Sequence, residues 1–365
     1  MARTRYRLPL DDASRKKFEA LERVADVRVL ASAADEDPPD DETFHLVKPM
    51  HPRALDGLAF HLTLPARVAR ELRAFAPDAV LVHGAHDVPA VLLGRRIARS
   101  EARVVLDLHG DWHTSARLYG SRLRRLVAPV VDLLAKVGIR RADGVRTLSD
   151  FTTELVREEG VEPVAEFPAF VDFGLYRERP RTELPARPAL LFVGVLEDYK
   201  GVDVLAEAWR TAAPLVPDDA ELRVVGRGGK LPLVEQLLGD LPRQTRWYPV
   251  LGPDDLLREL DGATALVLPS RSEGLPRIVL ESFCRGRPVV AARAGGIVDL
   301  IRDGVNGVLV DSEDADALAD ALVEVLVDPE WAEQLAEGAT RSAGDWLATP
   351  DEFAERVRDL VASLH

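Results

Sequence analysis

Cysteine is almost missing from this 365-residue chain. Cys284 stands alone, so no intrachain disulfide can form, and the composition fits a reducing cytoplasm. Its place in a helical apolar pattern marks it as a packing residue rather than a nucleophile. Long apolar runs are missing too. None approaches the ~18 residues of a membrane span, and no signal-peptide pattern opens the sequence. Lysine is scarce: only Lys16, Lys17, Lys48, Lys136, Lys200 and Lys230 occur. There is no basic excess either, because the net charge is −14. Residues 1–180 hold 28 basic and 28 acidic side chains, so the whole acidic excess lies in the C-terminal half. That balance argues against nucleic acid as a partner. What remains, 47% hydrophobic and 30% charged residues, is the composition of an ordinary soluble globular protein. The length predicts two domains, each with its own core.

The most informative stretch runs from Pro269 to Gly296. The apolar run Ala263–Leu268 predicts a buried strand. Ile278 to Phe283 has apolar residues at helical spacing, and Pro276 suits a first helical turn, where its missing N–H costs nothing. Ser270 to Leu275 is therefore a loop at the C-terminal end of a strand, opening a helix. Such a loop offers free backbone N–H groups and the positive end of a helix dipole to a phosphate. Glu273 sits in the loop, and Glu281 lies ~7–8 Å further along the helix at ~1.5 Å per residue. That is about the span from a diphosphate to its ribose. A carboxylate accepts both hydroxyls of a ribose diol, so the two glutamates could hold opposite ends of a sugar nucleotide. Spacing alone also fits two solvated glutamates on an ordinary strand–helix turn.

Glu273-Gly-Leu-Pro-Arg-Ile-Val-Leu-Glu281 resembles the E-x7-E motif of the retaining glycosyltransferases of family four. Gly286-Arg-Pro-Val-Val-Ala291 and Gly295-Gly296 match the same pattern. The resemblance covers roughly residues 75–330. It implies a GT-B fold: two Rossmann-like α/β domains facing each other across a cleft, the last helix returning to the first domain. It also implies transfer of a sugar from a sugar nucleotide to an acceptor hydroxyl with retention of configuration. By this resemblance Glu273 contacts the transferred sugar and Glu281 holds the ribose. Lys200 and the backbone of Gly274, Leu275, Pro276 and Arg277 hold the diphosphate, and the base is read near Leu251.

Within the N-terminal half, Asp12 or Ser14 caps an amphipathic helix running to about Val24. Strands are expected over Val27–Ser32, Ala79–His83, Val104–Leu108 and Val145–Ser149, and helices over Leu64–Ala76 and Val88–Arg99. This alternation predicts a parallel sheet. The resembling family has an apolar strand at the start and a Gly-Gly pair in the loop after it. Here the strand is short or missing, and Asp11 to Ser14 replace the glycines, which marks Asp12, Ser14 and Asp111 as acceptor-side candidates. His109-Gly110 follows a strand as the family's donor-facing His-Gly pair does. Phe167-Pro-Ala-Phe-Val-Asp172 lacks the asparagine that the family places after the proline.

Two patterns hint at metal. His109-x-Asp111-x-His113 has a suitable spacing, and Asp35-Glu-Asp37 has the look of a D-x-D motif. Neither is required by the family's chemistry, so no metal and no cofactor is expected beyond the sugar nucleotide as co-substrate. Residues 114–141 carry seven basic side chains against Asp132 alone. This segment is either a solvated helix face or a patch for anionic lipid or an acceptor phosphate. The expected location is cytoplasmic, with peripheral contact at the inner membrane face through that patch. The acceptor is expected to be a glycan, a glycolipid or a lipid-linked molecule.

The predicted domains are residues 1–176 on the acceptor side, a linker at 177–188, residues 189–345 for the nucleotide sugar, and a returning helix at 346–365. In the second domain the family reads G-R-L-x3-K-G. Lys200-Gly201 matches, but Val195 replaces the arginine, and Arg227 or Arg277 is the substitute cation. Because of Val195 a non-catalytic nucleotide-sugar-binding or scaffold protein stands as the alternative. A sugar-nucleotide epimerase of the same fold fits less well, since that family lacks E-x7-E.

Overall fold

The computed structural model describes residues 4–51, 53–112 and 122–364. Within these, 4–112, 122–172 and 348–364 form one compact unit, and 173–347 form a second. The first unit carries two parallel sheets. One has β2 (Val29–Ala33) between β1 (Arg5–Tyr6) and β3 (Phe44–Val47). The other runs β4 (Ala79–Val82), β5 (Arg103–Asp107), β6 (Gly144–Thr147) and β7 (Ala165–Glu166) in that order. Parallel neighbours need crossovers. Helices α1 (Asp12–Glu22), α2 (Arg53–Phe75), α3 (Val88–Ala98), α4 (Arg122–Arg141) and α5 (Asp150–Glu158) intervene between strands. Leu30, Phe60, Val68, Val80, Val104, Leu106, Ile139 and Val145 share one buried core.

Several local expectations change. The first strand exists, but as two residues paired to Ser32 and Ala33. The cap of α1 is Asp11, whose carboxylate accepts from the Ser14 N–H at 2.8 Å, rather than Asp12 or Ser14. Helix α2 begins near Arg53, not Leu64, and continues through Pro65. Its packing on α3, where a Cβ at Gly94 would lie 2.8 Å from the Pro65 carbonyl, outweighs the hydrogen bond that the proline removes. β3 and β7 are too short to show a periodic pattern. The Asp35–Asp37 triplet forms exposed pairs with Arg7, His51 and Lys48. The C-terminal helix, Pro350–Ala362, packs within the first unit, with Phe353 against Phe167 at 6.1 Å between ring centroids.

The second unit is built on one six-stranded parallel sheet. Its strands are β8 (Ala189–Val193), β9 (Glu221–Val225), β10 (Thr245–Tyr248), β11 (Ala265–Leu268), β12 (Val289–Ala292) and β13 (Gly307–Val310). Their order is β10-β9-β8-β11-β12-β13, so the winding reverses between β8 and β11. Leu190, Phe192, Trp209, Leu222, Val267 and Leu335 belong to its core. The Pro-rich stretch after Arg177 is fastened down rather than loose. Arg285, fully buried, donates to the carbonyls of Tyr176, Arg179 and Pro180 and pairs with Asp261 at 2.7 Å. Arg287 donates to Thr182 and Glu183.

Candidate active site

All six strands of the second unit run the same way, so their C-terminal ends share one edge of the sheet. Lys200 follows β8, Arg227 follows β9, Leu251 follows β10, Glu273 follows β11 and Gly295 follows β12. β8 and β11 are neighbours where the strand order reverses. Loops leaving such a reversal diverge and open the crevice in which open α/β sheets bind ligands.

Lys200 and Glu273 stand together at that reversal, Nζ to Oε1, 2.5 Å apart and both mostly buried. Ser270, fully buried, donates to the same carboxylate oxygen at 2.8 Å. The loop is braced from outside by Arg271. Its guanidinium grips Asp203 with two bonds of 2.8 Å and also pairs with Glu313, and its N–H donates to the Tyr199 carbonyl. Glu313 and Asp203 together raise the already high pKa of Arg271. Gly295 is left-handed, and a Cβ there would lie 2.1 Å from the Glu273 carbonyl, so no other residue fits. Gly296 then donates its N–H to that carbonyl. Among the described residues, the N–H groups of Gly274, Leu275 and Arg277 donate no hydrogen bond. They sit at the start of α10 (Arg277–Cys284), whose extended N-cap is Pro276 rather than a first-turn proline.

Glu281 lies on α10 and is nearly buried. Arg277 donates from Nε to the Glu281 carboxylate at 2.5 Å. Burial raises the carboxyl's pKa, and Arg277 and Tyr176 offset only part of that. Arg277 is thus engaged by Glu281. Cys284 is buried on this helix, and burial pushes its thiol up to about 11, the state of a packing residue.

The Val195 side chain is exposed. Next to it, the Leu196 N–H donates to the Arg227 carbonyl, so the loops after β8 and β9 lie side by side. The Arg227 side chain is exposed and makes no ion pair or hydrogen bond among the described residues. Leu251 is half-buried in the turn before α9 (Pro253–Asp261).

In the first unit, His109 follows β5. Its Nε2 lies 3.0 Å from Asp107 Oδ2 and 2.9 Å from His83 Nδ1. The other oxygen of Asp107 pairs with the buried Arg146. Burial would raise the Asp107 carboxyl, but His109 and Arg146 outweigh it and hold the group well below the carboxylate range. Burial pushes the His83 imidazole down to about 3. His109 lies beside His83 and Asp107, neither foreseen, and of the expected His109–Asp111–His113 grouping His113 lies outside the described residues. Asp12 pairs with Arg15 at 2.8 Å, Ser14 bonds Asp11, and Asp111 lies half-buried after His109. Asp172 accepts from Lys16 at 2.6 Å.

Comparison with known proteins identifies the family and the fold. Residues 187–328 match the family model for glycosyl transferases group 1, and residues 17–167 match the glycosyl transferase 4-like domain. The chain belongs to the group 1 glycosyl transferases and has the GT-B fold. It is 34% identical over 264 residues to the D-inositol 3-phosphate glycosyltransferase of Salinispora tropica, covering 68% of this chain and 54% of the relative. The corresponding enzyme of Nocardioides sp. is 32% identical over 199 residues, 47% of this chain and 43% of the relative. The chain thus spans about half the length of the curated relatives it matches. Among solved structures, the sucrose-phosphate synthase of Thermosynechococcus elongatus superposes with a TM-score of 0.77 at 19% identity, covering 96% of this chain and 92% of the other. HepE of Anabaena, in complex with UDP and glucose, gives 0.69 at 19% identity, covering 97% and 96%.

Proposed function

We propose that the chain transfers a sugar from a sugar nucleotide to an acceptor hydroxyl with retention of anomeric configuration. The second unit holds the donor and the first serves the acceptor. The observation that carries this reading is the Lys200–Glu273 pair at the strand-order reversal, beside the unpaired N–H groups of Gly274, Leu275 and Arg277. As the glycosidic bond breaks, the diphosphate gains charge. Lys200 and those N–H groups stabilise it, and preorganised donors of this kind act without reorganisation. Glu273 holds the sugar hydroxyls, Glu281 the ribose, and His109 meets the sugar. No protein nucleophile is needed for a front-face displacement.

The donor reading is supported by HepE, whose structures hold UDP and UDP-glucose. UDP-glucose is therefore the first donor to test, and inositol 3-phosphate, taken from the relatives' name, the first small acceptor beside glycans and lipid-linked molecules. Thermal shift with nucleotide diphosphates comes first, since a ligand at 100 times its Kd adds ~2.7 kcal/mol. Steady turnover supports the transferase. Binding without turnover supports the non-catalytic alternative, which the exposed Val195 favours.

The chemistry is metal-independent on this reading, because Lys200 and a helix N-terminus do what a divalent cation does elsewhere. EDTA should leave turnover intact, and Mg²⁺ or Mn²⁺ should not raise it.

Membrane contact is peripheral. No described helix is long and apolar enough to cross a membrane. On α4, Val130, Leu133, Leu134 and Val137 are exposed at helical spacing, an apolar stripe suited to an interface. Lys136 and Arg140 of the same helix pair with Glu159, so their charge is already partly satisfied. Flotation with anionic vesicles tests the contact, and Leu133→Asp should abolish it.

A further inference from the structure

His61 lies on α2, and His86 and Asp87 lie in the turn Ala85–Asp87 that leaves β4. Asp87 immediately precedes α3, but its carboxylate makes no capping bond to that helix. Its Oδ1 is buried and has no hydrogen-bond partner. A buried carboxylate oxygen without a partner is costly and asks for an explanation. Two imidazole nitrogens surround it: His61 Nδ1 at 2.9 Å and His86 Nε2 at 3.8 Å. At 2.9 Å a ring N–H aimed at the oxygen makes a hydrogen bond; the ring plane of His61 is therefore directed elsewhere.

The geometry suits three ligands of one cation. All three ligand atoms lie within 4.8 Å of one another. Ligands of tetrahedral zinc, at ~2.0–2.2 Å from the metal, stand about 3.3 Å apart, a value the two carboxylate contacts bracket. The two rings are steeply inclined at 67°, as ligands converging from different directions are. Both histidines keep solvent access, leaving a route in and room for water at an open coordination position. The turn itself is held firmly. A Cβ at Gly138 of α4 would lie 2.0 Å from the Ala85 carbonyl, so only glycine lets that helix seat the turn so closely.

The neighbouring cluster of His83, Asp107 and His109 has similar ligand atoms but the wrong electrostatics. Asp107 is already paired with Arg146, whose fixed positive charge opposes a cation. Among the described residues no such charge is paired with Asp87.

We propose that His61, His86 and Asp87 bind a divalent transition metal of the zinc class, tying α2 to the turn between β4 and α3. Two imidazoles with one carboxylate select zinc, nickel or copper over magnesium or calcium. The site does not depend on the sugar-transfer reading, and no step of that chemistry passes through it.

The test uses the untagged chain, stripped with chelator and titrated with Zn²⁺ by calorimetry and with Co²⁺ by visible absorption. One equivalent should bind with a tetrahedral cobalt spectrum, and the melting temperature should rise with Zn²⁺. His61→Gln and Asp87→Asn should each abolish all three signals, while His83→Gln keeps them. His61 is partly exposed, so its replacement leaves the fold intact, as circular dichroism will verify. No binding by the wild type overturns the proposal. So does binding that survives both variants, or that is lost in His83→Gln alone.

Discussion

Lys200 Nζ and Glu273 Oε1 lie 2.5 Å apart across the boundary between β8 and β11, 73 residues apart in sequence. Each neutralises the other before a donor arrives. On the proposed reading a diphosphate must therefore draw Lys200 away from Glu273, or share it. Lys200→Ala should cost about 2–4 kcal/mol in kcat/KM, mostly in kcat, as loss of one stabiliser of developing charge does. Glu273→Gln should lower turnover yet tighten binding of the free nucleotide diphosphate, because Lys200 is then unpaired. Calorimetry with UDP checks the second half; weaker UDP binding would remove Lys200 from the diphosphate.

Glu281→Ala should raise the donor KM more than it lowers kcat. Two charge-assisted bonds to ribose, each about 1.5–3 kcal/mol, are lost from ground and transition states alike. Unchanged donor affinity in Glu281→Ala excludes the ribose role.

On the proposed reading Arg227 stands in for the cation missing at Val195, since its loop lies beside that of Val195 and its side chain has no partner among the described residues. Arg227→Ala should cost about 2–4 kcal/mol in kcat/KM. Val195→Arg in that background should restore part of it. A silent Arg227→Ala together with an activating Val195→Arg shows that nothing compensates, and favours a weak transferase or a binding protein.

The pH dependence of stability should carry a mark of His83. Its folded value is pushed to about 3 from 6.5, so between those limits the unfolded chain holds a proton that the folded chain does not. This contribution is complete above pH 6.5 and is lost as the pH falls towards 3, at no more than about 1.4 kcal/mol per pH unit. His83→Gln should flatten that part of the curve of melting temperature against pH.

Arg285→Met should destabilise the second unit by about 3–5 kcal/mol, the scale of breaking a buried ion pair on one side. Asp261 loses its partner, and three carbonyls of residues 176–180 lose theirs. Faster proteolysis near Pro180 would locate the damage; a melting temperature equal to wild type would show that the clamp is dispensable.

The alternation of apolar runs with helical spacing made the parallel α/β architecture legible. These are short-range properties: periodicity and caps depend on neighbours a few residues away. Beyond that range the sequence was silent. Nothing in the sequence marked Arg285 and Arg287 as buried, and only the packing of residues 176–183 over them shows two buried clamps. The Asp87 carboxylate meets His61, a residue of α2 that precedes β4, a contact no local pattern signalled. β4 lies beside β5, which brings His83 to His109 and Asp107, a contact that spacing along the chain did not show. The sequence by itself determined most of the strands and how the charges divide along the chain. Tertiary structure alone decided that Lys200 touches Glu273, that Arg227 flanks Val195 and that two histidines close on Asp87. Each depends on strand order and helix docking, set by burial of whole faces rather than by any local run of residues.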